Sequence, residues 1–575
     1  MTRLAAIAVA LLGAALYANT LGAPFILDDA PNITENSQLR LQRLDFEGLL
    51  AATRGPTSGR PVAYASFALN HLVGGYDVTG YHVVNIVIHV ACGILVYLLA
   101  AATLALRTHT THAPALSARR RELVALFAAL LFVAHPVQTQ AVTYVVQRMT
   151  SLATLFYLLA LLLYLWGRMT EAAARRPLFF AGALAAWLLA LGSKQTAVTL
   201  PIAILLYEFT FFADLDRSWW RRHRWMLLGG LGVILAVAVV YLKGDPASIL
   251  RAYRVRDFTL LERLLTQPRV VVFYLSLVVL PLPSRLNLLH RFTTSHSPID
   301  PPATLLAILA LLGILALALR LAPRERLAAF CMLWFFLQLV LESSVVGLEM
   351  AFEHRLYLPM FGAALLAADA IFRAVPGPSS RAVVVGAVVV ALLGVGTIVR
   401  NATWRDRVTF WSDAVSKSSE SPRAHNSLGR ALADEGRLAE ADREFREALR
   451  IKPRHTESHF NLGVIAYQRG WDAEAILHYT AALEIDSGYA RAHNNLAAAL
   501  LRQDRYDEAI YHFRETVRLD PYHASAHFNL AVLLEGRERF EEARSHYATV
   551  LRLQPGDAEA RAHLQRVEAL SYPRR

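Results

Sequence analysis

Apolar runs long enough to cross a bilayer recur through the first 400 residues and then stop. A crossing helix needs roughly 20 apolar residues. Segments 4–21, 82–104, 122–135, 150–167, 177–192, 196–213, 225–243, 303–320, 327–342, 356–373 and 382–399 approach or meet that need. Such a pattern, with 55% hydrophobic residues overall, excludes an ordinary soluble domain over this stretch. The start, MTRLAAIAVALLGAALYANTLGA, has the build of a signal peptide, but the many spans that follow favour a retained first helix. A bend is expected at His135-Pro136. One further run, VVVFYLSLVVLPLP at 270–283, is short and ends in two prolines, and reads as re-entrant or interfacial.

Charge sets the sidedness. The formal net charge is +12, which invites a nucleic-acid partner. The basic residues, however, cluster in short connections between apolar runs, as the positive-inside bias demands, and no nucleic acid is expected. RTHTTHAPALSARRR, RMTEAAARR, DLDRSWWRRHR, RLAPRER and FRAVPGPSSR all fall on the cytoplasmic side if the N-terminus is cytoplasmic and 270–283 does not cross. That gives about eleven crossings and a tail on the outer side. The same count puts Asp28, Asp29, Arg60, His135, Arg148, Lys194, Glu353 and Arg355 at or near the outer face. Cys92 and Cys331 both lie in apolar runs, so no disulfide framework is expected.

The tail is periodic. His425, His459, His493 and His527 are spaced by 34 residues, and Asn461, Asn495 and Asn529 keep the same interval. Small residues follow Leu428, Leu462, Leu496 and Leu530. Ala441, Ala475, Ala509 and Ala543 recur, each followed by an aromatic: Phe445, Tyr479, Phe513 and Tyr547. This is the tetratricopeptide-repeat signature, four helical hairpins whose apolar faces are buried by their neighbours, with a capping helix at 557–570. The organisation expected is a membrane domain over 1–400, a linker at 401–420 and a repeat domain over 421–570. The repeated Asn and His have two readings: ladders along a groove that grip an extended peptide acceptor, or hydrogen bonds between repeats. No metal site is expected, since ladder neighbours lie too far apart for one ion.

The order FILDD, RPVAYASFALNHLVGGYDVTGYHVVNIVIHV, LFVAHPVQTQAVTYVVQRMT, GSKQTAVTLP, FEHRLYLPMFG and VRNATWRDRVTFW, followed by the repeats, resembles the transmembrane and tetratricopeptide-repeat-containing O-mannosyltransferases and their bacterial relatives. The resemblance implies a GT-C membrane fold, a polyprenyl-phosphate-linked sugar as donor, protein Ser/Thr hydroxyls as acceptor, and no required cofactor. It points to Asp28 as the base, with Asp29 orienting it or binding sugar hydroxyls. At two positions the chain departs from the family: Gln140 and Gln195 stand where eukaryotic members commonly carry Glu, so the sugar is read as mannose or another hexose.

Chemistry gives an independent reason for these residue types. A hydroxyl attacking the anomeric carbon needs a carboxylate to take its proton, and the departing phosphate needs cations as its charge grows. Lys194 and Arg148 are the first candidates for that phosphate, with Arg60 and Arg355 behind them; the competing reading is snorkelling to the interface. His135 either forms a structural bend or bonds the sugar. Glu353, His354 and Arg355 are expected to form a buried ion pair. The Asp pair itself could be solvated or cap a helix. The resulting expectation is an inverting glycosyltransferase of a bacterial inner membrane with periplasmic repeats. Transfer to a glycolipid or cell-wall polymer, and a non-catalytic scaffold recruiting partners, are the alternatives.

Overall fold

The computed structural model describes residues 2–54, 59–107, 117–216, 218–242, 244–245, 247–376 and 378–571. Among them every regular element is helical, and a lone bridge joins Ser297 to Asp300. Two compact units divide between Phe410 and Trp411. The segment expected as a linker is itself ordered, holding the end of helix Ser379–Ala402 and the helix Arg407–Lys417.

In the first unit, seven helices are long and apolar enough to cross a membrane: Thr2–Thr20, Val78–Leu106, Val145–Met169, Ala173–Leu191, Gln195–Phe212, Ala303–Leu321 and Ser379–Ala402. An eighth candidate is broken, Ala118–Ala134 meeting Pro136–Thr143 at 52°. The break falls at the expected His135-Pro136, where proline has no N–H to continue the ladder. The three remaining expected crossings fall on helices Arg224–Tyr241, Arg326–Leu339 and Met360–Ala374, the last two of only 14 and 15 residues. Segment 270–283 lies mostly within the helix Leu260–Val279, which opens on a Thr259–Glu262 capping box. Of the basic connections that argued sidedness, residues 108–116, 217 and 377 lie outside the described residues.

Packing in this unit depends on small residues and on polar ties between helices. At Gly93 a Cβ would sit 2.5 Å from Val133 Cγ2 and 2.8 Å from Val9 Cγ1, so only glycine lets these three helices meet. His89 bonds the Tyr357 hydroxyl at 2.7 Å, and the Gln338 amide donates to Tyr157 at 3.0 Å. Asn401 is buried with its amide on the Leu16 carbonyl at 3.0 Å, so its Asn-Ala-Thr sequence is no glycosylation acceptor.

The second unit is four helical hairpins: Pro422–Asp434 with Leu438–Ile451, Thr456–Gln468 with Asp472–Ile485, Ala490–Arg502 with Tyr506–Leu519, and Ala524–Gly536 with Phe540–Leu553. Helix Ala558–Ser571 caps the stack. The small residue after each Leu has a physical reason. A Cβ at Gly429 would meet the Phe445 ring at 2.6 Å, and one at Gly463 would meet Tyr479 at 2.6 Å.

Candidate active site

Strain marks the first element of the site. Leu27 adopts φ 47°, in the left-handed region that costs a side-chain-bearing residue about 1–2 kcal/mol. The turn it makes folds Asp29 back on Ile26. The Asp29 N–H donates to the Ile26 carbonyl at 3.0 Å, and its Oδ2 accepts the Ile26 N–H at 2.8 Å. Oδ1 accepts the Val146 N–H at 2.7 Å. Only 1% exposed, Asp29 is pushed by burial up to about 8; the two N–H bonds and Arg148 oppose that shift, and Asp28 adds to it. Both Asp29 oxygens thus accept a backbone N–H, an arrangement that suits the orienting role. Asp28 is half-buried. Its N–H donates to the Tyr144 hydroxyl at 2.9 Å, which sets that hydroxyl close to the Asp28 carboxylate.

The helix that begins at Arg148 carries this geometry across to the cations. Arg60 reaches Met149 Sδ at 2.9 Å, and the Lys194 ammonium donates to Thr150 Oγ1 at 3.1 Å. The seven residues from Tyr144 to Thr150 therefore contact, in order, Asp28, Asp29, Arg60 and Lys194. At helical rise that stretch spans about 10 Å. Two further bonds close the arrangement. The Val62 N–H donates to the Gly192 carbonyl at 2.9 Å, joining the Arg60 and Lys194 segments. Tyr64 donates to Asn32 Oδ1 at 2.7 Å, and the Asn32 amide donates to the Asp28 carbonyl at 2.8 Å.

Lys194 is buried and ion-paired with Glu342 at 2.8 Å. Burial lowers the Lys194 pKa, Glu342 opposes that shift, and Arg60 and Arg355 push it further down. Burial works to raise the Glu342 carboxyl, yet Lys194, Arg355 and Arg60 together hold it below its usual range. The cations Arg60 and Arg355 act in the same sense on both partners, adding to burial at Lys194 and opposing it at Glu342. Burial and the same three cations hold the His354 imidazole well below its ordinary value, in the neutral form. Arg60 Nε, Arg355 Nε, His354 Nδ1, Gln140 Nε2 and Gln195 Nε2 are buried without a hydrogen-bond partner among the described residues. Unpaired buried donors are costly, and several beside a cationic cluster are suited to an anion.

Several expected roles change. Arg148 is fully enclosed. Its Nε donates to Asn85 Oδ1 at 2.6 Å, the other nitrogens donate to the Ser66 and Tyr81 carbonyls, and the guanidinium lies over the Phe67 ring. Three of its five N–H groups are thus bound to protein, which ties two earlier segments to the start of this helix. Arg355 does not pair with Glu353: it donates to the Glu349 and Met350 carbonyls at 2.7 and 3.0 Å. Glu353 instead pairs with His290 at 2.9 Å and positions that loop. His135 accepts the Val137 N–H and donates to the Val278 carbonyl at 3.0 Å, which makes it the structural bend. Gln140 accepts the His354 N–H at 2.7 Å. Glu342 and Tyr144 were missed. Glu342 carries the same signal as the Asp pair, an acid at the end of an apolar run.

In the repeats, the histidines tie each hairpin together. His459, His493 and His527 bond His478, His512 and His546 through paired Nδ1 atoms at 3.3, 2.8 and 2.8 Å. Their Nε2 atoms donate to the carbonyls of Pro453, Ser487 and Pro521. His425 does the same with Glu444 and the Ser419 carbonyl. With both nitrogens engaged, these residues are not available to an acceptor peptide. Asn461 donates to Asn426 Oδ1 at 2.9 Å, linking two repeats, and Asn495 bonds Asn494 and Tyr479. The side chain of Asn529 makes no hydrogen bond among the described residues.

Known proteins match both units. Tetratricopeptide-repeat family models match residues 411–454, 426–490 and 488–556. A protein O-mannosyl-transferase of Caenorhabditis elegans is 25% identical along 77% of this chain and 62% of its own length. Protein O-mannosyl-transferase Tmtc3 of Drosophila melanogaster is 26% identical along 77% of this chain and 54% of its own. Its relatives are protein O-mannosyltransferases. TMTC2 of Mus musculus, another protein O-mannosyl-transferase, is 32% identical along 35% of this chain and 23% of its own length. The chain thus spans under two thirds of the length of these O-mannosyltransferases. Among solved structures, Pseudomonas aeruginosa pilF is 24% identical with a TM-score of 0.28, over 31% of this chain and 82% of that one.

Proposed function

We propose that this chain is an integral-membrane glycosyltransferase that moves mannose or another hexose from a polyprenyl-phosphate carrier to Ser/Thr hydroxyls of a protein outside the cytoplasm. The observation that supports this reading is the Tyr144–Thr150 segment, whose residues bond Asp28 and Asp29 at one end and Arg60 and Lys194 at the other.

The acceptor hydroxyl is placed beside Asp28, whose carboxylate takes its proton as the oxygen bonds to the anomeric carbon. The bond from that carbon to the phosphate oxygen breaks on the opposite side, and its electron pair leaves with the polyprenyl phosphate. Lys194, Arg60 and the free Nε of Arg355 stabilise the charge that develops there. Attack from the face opposite the leaving group inverts the anomeric configuration. Tyr144 and Asp29 hold Asp28 in place. The repeat unit, a stack with an extended surface of the kind that binds protein segments, presents the acceptor.

The test is to incubate the purified chain in lipid nanodiscs with radiolabelled polyprenyl-phosphate mannose and a periplasmic extract. Label is expected in protein and to be released by mild alkali, as O-linked sugar is. Label found only in lipid or polymer would overturn the protein acceptor. No label in any fraction, with mannose or other hexose donors, would overturn the transferase.

A further inference from the structure

Glu342 has a place in the fold that the reaction scheme above does not use. It follows the helix Arg326–Leu339 and opens an irregular loop that runs to Met350. Inward-facing carbonyls of that loop are satisfied by two buried arginines. Arg263 donates to the carbonyls of Glu342, Ser344 and Leu348, and Arg355 to those of Glu349 and Met350. The backbone of Glu342 is therefore fixed independently of its side chain. The side chain then reaches Lys194 at 2.8 Å, with both side chains 8% exposed.

Lys194 could not hold its charge there unaided. It is buried beside Arg60 and Arg355, and His354 facing it is neutral. Thr150 offers a neutral oxygen; Tyr274, close to Glu342 and Arg355, has its hydroxyl on Phe352. Among the described residues, Glu342 is the one carboxylate bonded to Lys194. A lysine buried among cations sheds its proton unless an anion is beside it. A neutral amine would not stabilise a departing phosphate.

We propose that Glu342 is the positioning residue of the donor-phosphate site, the carboxylate that holds Lys194 as an ammonium ion where the phosphate arrives. The inference rests on the reading of Lys194 as a phosphate ligand, but its first test does not. Glu342 does not touch the reacting atoms; it acts through Lys194.

The chain has only four lysines, Lys194, Lys243, Lys417 and Lys452, so 15N labelling of lysine side chains gives a spectrum in which Lys194 is assigned by Lys194→Arg. In the full chain in nanodiscs, the Lys194 Nζ shift is expected to stay that of an ammonium from pH 6 to 9. In Glu342→Gln it is expected to titrate to the amine within that range. An ammonium shift throughout in Glu342→Gln would overturn the proposal. The second arm measures binding of polyprenyl phosphate itself. Glu342→Gln is expected to lose affinity by about tenfold per pH unit above the new titration point. Glu342→Gln with Lys194→Arg is expected to show no such loss, because guanidinium stays charged. Wild-type chain that fails to bind polyprenyl phosphate while Lys194 titrates as expected would sink the phosphate reading and leave the charge-holding role standing. If Glu342→Gln alone does not fold, the double variant Glu342→Gln/Lys194→Met is expected to fold, since it leaves no charge of the pair unpartnered. Failure of that double variant to fold would overturn the proposal by making Glu342 a support of the loop.

Discussion

Asp29 and Val146, 117 residues apart in sequence, are joined by a 2.7 Å hydrogen bond from backbone N–H to carboxylate. Through it the strained turn after the first helix is fixed to the segment that also contacts Arg60 and Lys194. Replacing Asp29 by Ala leaves the Ile26 and Val146 N–H groups unpaired in a buried place, at about 1–3 kcal/mol each. Thermal unfolding is expected to show that loss, and transfer activity is expected to fall with it. Asp29→Asn, which keeps one acceptor oxygen, should lose less.

Asp29 also makes stability depend on pH. Its folded-state pKa, about 8, lies above the ordinary 3.8 because burial disfavours the charge. For an acid shifted upward, the contribution is fully present below the unfolded value and lost as pH rises through about 8. The melting temperature should therefore decline between pH 4 and pH 8, and the decline should shrink in Asp29→Asn. An unchanged slope in that variant would contradict the assignment.

Tyr144 accepts the Asp28 N–H, which keeps its hydroxyl close to the Asp28 carboxylate. Tyr144→Phe removes that bond with little change in shape. A neutral hydrogen bond contributes about 0.5–1.5 kcal/mol, so transfer is expected to slow by roughly twofold to tenfold. The loss should appear in kcat with the donor KM little changed, since Tyr144 does not reach the cations.

The histidine pairs give the repeats an acid limit. In each pair the first ring must accept at Nδ1 because its Nε2 donates to a carbonyl, so the partner donates its Nδ1–H, and an added proton puts a charge into a half-buried pair. Burial, followed by the neighbouring histidine, lowers His478, and lowers His512 and His546 to about 4. A base shifted downward contributes stability that is present above its unfolded value near 6.5 and lost as pH falls through about 4. Hydrogen-exchange protection of helices 490–519 and 524–553, corrected for intrinsic rates, is expected to fall between pH 6.5 and 4. His512→Gln with His546→Gln should flatten that response.

The turns inside the hairpins carry a smaller, separable cost. Gly436 and Gly470 sit at φ 77° in the first two hairpins, but Asp504 and Glu538 take φ 57° and 60° in the last two. Glu538→Gly relieves a left-handed conformation worth about 1 kcal/mol. It should raise the unfolding temperature of the repeats by a few degrees. A fall would mean that the Glu538 side chain makes a contact worth more than the strain.

The repeats were legible because their 34-residue period registers every contact that matters within a hairpin. Asp28, Asp29 and Lys194 were legible as charges placed against apolar runs. What hid the rest was long-range pairing. Nothing local to Arg148 says that its nitrogens meet Asn85, Ser66 and Tyr81, which come from two earlier segments. The Glu342–Lys194 pair spans 148 positions and needs Arg263 to fold the loop that makes it. The ladder histidines looked like groove residues because periodicity gives the position of a side chain and not its partner. Their partners, 19 residues on, form a second series, His478, His512 and His546, with Glu444 in the first register.

The central claim is that Asp28 takes the proton of the acceptor hydroxyl while the cation cluster holds the phosphate. The most direct measurement compares wild type with Asp28→Asn for sugar transfer to protein and for polyprenyl-phosphate binding in the same nanodisc preparation. The account predicts that Asp28→Asn abolishes transfer and leaves phosphate binding unchanged. Transfer at the wild-type rate by Asp28→Asn would contradict it.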